Sequence, residues 1–150
     1  MNDADFQNLS IQARRFRAAL EAAIARGNFS SSFKHFPAAA CDYSSTLLGI
    51  YFLRTLGLRF HLICSERRNP RKAENQYHAW LQLGEVIVDI TSDQFEELKG
   101  TIVITRRGDW HKQWKVVSDE SPEKAFRAEI VEAYEDLYQK VISGLPSTAA

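Results

Sequence analysis

Gln76-Tyr77-His78-Ala79-Trp80-Leu81-Gln82-Leu83, then Gly84-Glu85, then Val86-Ile87-Val88-Asp89-Ile90, is the stretch on which the fold of this chain turns. Apolar and polar residues alternate around a Gly-Glu pair, the pattern of two antiparallel strands joined by a tight turn. A two-residue type II′ turn needs a positive φ at its first central position, which Gly84 supplies without steric cost. Leu83 then faces Val86, with Gln82 opposite Ile87, Trp80 opposite Asp89 and His78 opposite Thr91, all three pairs on one face of the sheet. Tyr77, Ala79, Leu81, Val86, Val88 and Ile90 take the other face. His78 and Asp89 become diagonal neighbours, roughly 7–8 Å apart at the backbone, a gap that an imidazole and a carboxylate can close. A three-residue turn would move Asp89 to the opposite face, so the pair depends on the turn.

Outward from the hairpin, period-two patterning returns near residues 58–65, 101–105 and 113–117, which predicts further strands of one antiparallel sheet. Upstream, Phe6, Leu9, Ala13, Phe16, Leu20 and Ile24 recur every three or four residues, so 4–26 is expected to be an amphipathic helix. Residues 28–40 show no sustained period and form an expected loop anchored by Phe29, Phe33 and Phe36. From 42 to 56 the chain is apolar on nearly every side and meets Gly57, the signature of a buried helix with a C-terminal stop. Ser121-Pro122-Glu123 opens a last helix with the stripe Phe126, Ile130, Tyr134, Leu137, Tyr138 and Val141. Gly144 and Pro146 close it, and residues 147–150 are expected to fray. Helices, then strands, then a helix define an α+β class. A buried helix from the N-terminal half packs on an antiparallel sheet, with flanking helices, in a single domain over 1–150.

Composition narrows the function. The 150 residues are 45% hydrophobic and 25% charged, the balance of a globular domain rather than of a disordered or disulfide-dense chain. Nineteen Lys and Arg against 19 Asp and Glu leave no field to attract nucleic acid, and the longest apolar run, 47–53, is far too short to span a membrane. The acidic N-terminus lacks a secretory h-region, so a cytoplasmic location is expected. With only two cysteines in a reducing compartment, Cys41 and Cys64 are each expected as free thiols.

Cys41 falls at the start of the buried helix, where unpaired N–H groups and the positive dipole end favour a thiolate. Asp89 stands between Val88 and Ile90, where an acid needs a partner. A carboxylate beside an imidazole orients it and stabilises its cation, and an imidazole beside a thiol activates the sulfur, so Cys41, His78 and Asp89 form a candidate nucleophilic triad. His35, His61, His78 and His111 are scattered and carry no metal-ligand spacing, so no metal site is expected. Cys64 alternates with Phe60 and Leu62 and is expected to be a packed core thiol. Arg67, Arg68, Arg71 and Lys72 surround Pro70 and are expected to be a solvated loop. Trp110 and Trp114 are expected in packing, and Gln94 is a candidate for the polar wall of the site against the ordinary reading of a loop residue.

Phe36-Pro37 with Cys41, the helix with Ser44, Ser45 and Leu48, and the strings His78-Ala79-Trp80-Leu81 and Val88-Asp89-Ile90-Thr91 together resemble the transglutaminase-like branch of the papain-fold cysteine enzymes. The likeness covers residues 36–95. That superfamily includes transglutaminases, leader proteases of lasso-peptide clusters and glutamine deamidase domains of bacterial toxins. The resemblance implies a papain-like, transglutaminase-like core with Cys41 as nucleophile, His78 as general base and Asp89 as orienting acid. It implies a protein or peptide substrate, a thioester intermediate and no cofactor. Ala38-Ala39-Ala40 stand where many relatives have Gly, and His35 stands where papain has an upstream Gln. Backbone N–H groups near Cys41 and Asp42 are therefore the expected oxyanion donors, with Gln94 and Trp80 as weaker substrate contacts. Peptidase, deamidase and transglutaminase chemistry are not distinguished, and oligomeric state is left open. An arylamine N-acetyltransferase-like acyl transfer and an inactive papain-like protein-binding module are the alternatives.

Overall fold

The computed structural model describes residues 1–69, 71, 74–128 and 131–146. Pro70 and Lys72 of the basic run, Ile130 of the last helical stripe and the tail 147–150 lie outside the described residues.

The chain is α+β. Helix α1 spans Asp3–Ala25 and opens on Asn2, whose side chain accepts from the Asp5 N–H at 2.8 Å. Its buried residues are Leu9, Ala13, Phe16, Ala19, Leu20 and Ala23; of the predicted stripe, Phe6 and Ile24 are only partly buried. Helix α2 spans Cys41–Leu56 and is buried continuously from Ser44 to Phe52, as expected of a helix apolar all round. Gly57 ends it at φ 65°, the left-handed conformation that lacks a Cβ penalty in glycine. Between the two helices, Ser30 caps a 3-10 turn, Ser31–Phe33, and Phe33 is buried against Phe29 and Tyr43.

Five strands follow: β1 His61–Arg68, β2 Asn75–Leu83, β3 Val86–Asp89, β4 Val103–Thr105 and β5 Lys115–Glu120. They form one antiparallel sheet in the order β4-β3-β2-β1-β5. Helices α3, Pro122–Ala128, and α4, Val131–Ile142, complete the chain. The hairpin register is the expected one: Leu83 faces Val86, Gln82 faces Ile87 and Leu81 faces Val88. Gly84 has φ 58°, while Glu85 is absent from the left-handed residues, as a type II′ turn requires.

Several expectations are corrected. The β2–β3 ladder ends at Leu81 and Val88, so Trp80 and Asp89 are not ladder partners, nor are His78 and Thr91. The chain turns at Ile90 into a 3-10 segment, Ser92–Gln94, instead of extending the strand. β1 runs three residues later than the period suggests, because it pairs with β2 from His61 opposite Gln82 down to Arg68 opposite Asn75. Arg67 is therefore a buried strand residue and not part of a solvated loop. Its guanidinium stacks over Trp114, Trp110 and Phe95 and donates to Gln76, Gln113 and Glu97.

The sheet separates two cores. Helices α1, α2 and α4 bury the main core against Leu62, Ala79, Leu81, Val86 and Val88. The opposite face carries a smaller cluster of Ile63, Trp80, Ile87, Phe95 and Trp114. Side-chain alternation along β2 sends Ala79 and Leu81 to the main core and Trp80 to the smaller one. Tight packing joins the helices to the sheet at Gly49, where a Cβ would meet Pro122 Cγ at 2.5 Å and Leu81 Cδ2 at 3.2 Å. No helix among the described residues is long and apolar enough to cross a membrane.

Candidate active site

Cys41 is the first residue of α2, partly exposed, with a free thiol. Unlike α1, this helix has no side-chain cap; its N-cap residue is Ala40. The first-turn N–H groups have no partner within the helix, and the positive end of the dipole lies at this terminus. The approach is bent by Ala39, which holds φ 60°. This is the conformation that favours glycine.

His78 is 2% exposed and Asp89 0%. His78 Nε2 lies 2.6 Å from Asp89 Oδ2. Nε2 is committed to Asp89, and Nδ1 has the Gln94 side-chain nitrogen at 3.3 Å, which donates to Thr91 O at 2.9 Å. Cys41 favours the protonated ring. The amide of Gln94 thus reaches the site, and the ordinary loop reading of this residue is set aside.

Burial pushes His78 toward its neutral form, but the Asp89 charge and hydrogen bond, with a further contribution from Cys41, outweigh it and raise the ring to about 9. Burial likewise penalises the Asp89 carboxylate, and the two histidines against it hold it below its ordinary value. Its Oδ1 accepts from the Thr91 N–H at 3.2 Å. The turn carrying Thr91 and Gln94 is pinned from α1 by Arg17, which pairs with both Asp93 oxygens at 2.8 Å and donates to the Ile90 carbonyl.

Asp42 and Cys64 form a separate contact, Cys64 Sγ to Asp42 Oδ1 at 3.5 Å. Burial first and the Asp42 charge second push the Cys64 thiol up to about 11. Cys64 packs at the margin of the main core, as expected. Trp80 is 2% exposed, with its ring 5.8 Å from His78, and it lines a cleft with Ile87, His111 and Trp114. Phe95, Trp110 and Trp114 complete an aromatic box around His78.

The residue that sequence spacing missed is His111. Its Nε2 lies 2.7 Å from Asp89 Oδ2, so one carboxylate serves two imidazoles. No local signal marks it; it comes from a different segment, 22 positions along the chain. His78, Asp89 and His111 bring three possible metal-ligand atoms within 4.8 Å of one another. Two of those contacts, at 2.6 and 2.7 Å, are hydrogen bonds. Ligands about 2.0–2.1 Å from a tetrahedral zinc would stand roughly 3.3 Å apart, so the arrangement fits proton-mediated contacts better than a metal. His35 is exposed, and His61 pairs at the surface with Asp119 at 2.6 Å.

Compared with models of protein families, with curated proteins and with solved structures, the chain matches none.

Proposed function

We propose that this chain is a cysteine-dependent acyl-transfer enzyme with a papain-like, transglutaminase-like core, attacking a peptide or glutamine carboxamide carbonyl. The observation that carries this reading is the His78 ring, held by Asp89 through Nε2 at 2.6 Å with Cys41 acting on it from a helix start. Nδ1 takes the Cys41 proton, and the thiolate attacks the carbonyl carbon. The oxyanion is met by first-turn N–H groups of α2. His78 then protonates the leaving ammonia or amine as the tetrahedral intermediate collapses to a thioester. Water or an amine attacks the thioester, returning its proton through His78 to the Cys41 sulfur. Each step moves one proton between sulfur, ring and leaving or entering group, so neither a metal nor an organic cofactor is needed. We place the enzyme in the cytoplasm, where both thiols stay reduced.

Iodoacetamide labelling at mildly acidic pH tests the nucleophile. Cys41→Ala is expected to abolish labelling and Cys64→Ala to preserve it, since Cys64 is pushed up to about 11. Equal labelling of the two variants, or labelling that is indifferent to His78→Ala, would leave a binding module as the better account. A thioester adduct on Cys41 with a glutamine-containing peptide, seen by mass spectrometry, would establish the acyl chemistry.

A further inference from the structure

His111 is the buried titratable group that this reaction leaves unused. It is 3% exposed, at the start of the 3-10 turn His111–Gln113 that leads into β5. Its Nε2 meets the same Asp89 oxygen that faces His78. An ionised carboxylate can only accept, so each imidazole donates, and His111 carries a proton on Nε2. Nδ1 is buried without a hydrogen-bond partner. The ring is otherwise held by Trp80 and Trp110, at centroid distances of 4.7 and 4.8 Å. Leaving one nitrogen unpaired is costly in a buried site, and among the described residues the one polar contact this ring makes is to Asp89.

Building on the proposed reaction, we infer that His111 is a positioning residue: its N–H on Oδ2 keeps Asp89 ionised and aims that oxygen at His78 Nε2. Among the described residues the Asp89 carboxylate has three donors, from His78, His111 and the Thr91 backbone. Loss of one weakens a carboxylate that burial already penalises. The titratable groups facing Asp89 are His78 from β2 and His111. Beyond them stand Cys41 from α2, against His78, and the Arg67–Glu97 pair, stacked on Phe95, Trp110 and Trp114. With Asp89 less firmly ionised, the His78 cation is less stabilised, so activation of Cys41 requires a higher pH.

The test is the pH profile of Cys41 alkylation by iodoacetamide in the wild type and in His111→Gln, His111→Asn and His111→Phe. The amide nitrogen of Gln falls near the place of Nε2, whereas that of Asn falls near Nδ1. Phe and Asn are expected to slow alkylation about tenfold at neutral pH and to move its acid limb upward by about one pH unit, and Gln to restore both. A folded Phe variant whose profile superimposes on the wild type, or Gln and Asn variants impaired alike, would overturn the assignment. If Phe prevents folding, as judged by circular dichroism, the Gln–Asn comparison decides. His78→Ala separates the two levels: alkylation unaffected by it refutes the proposed reaction itself, whereas alkylation that needs His78 but ignores His111 refutes only the positioning role.

Discussion

Replacing Asp89 with Asn removes the charge that holds the His78 cation inside the protein. In the wild type the ring is raised from 6.5 to about 9, against a burial penalty that acts the other way. At about 1.4 kcal/mol per pH unit, that displacement corresponds to roughly 3 kcal/mol of preference for the protonated ring. The unfolded chain releases this proton near 6.5, whereas the folded chain keeps it to about 9. The stabilisation is therefore fully present below pH 6.5 and is lost as the pH rises toward 9. In Asp89→Asn burial is opposed only by the smaller contribution of Cys41, so the ring should titrate well below about 9 and this loss should shrink. The variant should also start about 3–5 kcal/mol less stable below the window, because it leaves a buried partner unpaired. Cys64 does not interfere, because its shift from 9.0 to about 11 weakens the fold only above the window. Urea denaturation of both proteins at a series of pH values, with the His78 ring followed by NMR, makes the measurement. Parallel stability profiles through the window would refute the claim that Asp89 sets the charge of His78.

Two substitutions probe the frame around the site. Gly49→Ala gains about 1 kcal/mol of helix propensity, but its Cβ would stand 2.5 Å from Pro122, so overpacking of about 1–3 kcal/mol should dominate. A net loss of stability in urea is expected, and a gain would show that α3 yields freely. Ala39→Gly relieves a φ of 60°, and after the extra chain entropy of glycine it should stabilise by about 0.5–1 kcal/mol. Ala38→Gly is the control, with no left-handed φ to relieve; an equal gain there would remove strain at Ala39 as the cause.

Much of the site is legible before any coordinates because its pieces are set by local rules. Gly84 selects the turn, the turn sets Leu83 against Val86, and strand parity then puts His78 and Asp89 on one face. Cys41 is legible as a helix start because the apolar run after it and the stop at Gly57 bound α2 from both ends. Parity does not say how far a ladder runs. β3 stops at Asp89, and the turn that follows lets Thr91 and Gln94 fold back on Asp89 and His78.

By itself, the order of residues marked helices α1 and α2, the hairpin register and the Cys41, His78 and Asp89 candidates, whereas the one last helix it suggests is two, α3 and α4. Those features depend on spacings of one to four positions, across which backbone geometry is nearly fixed. Only the tertiary structure decided that β1 is flanked by β2 and β5, that Arg67 is buried among three aromatic rings, and that His111 shares the carboxylate with His78. Contacts across such distances are selected by packing of the whole sheet and its loops, and no local period encodes them.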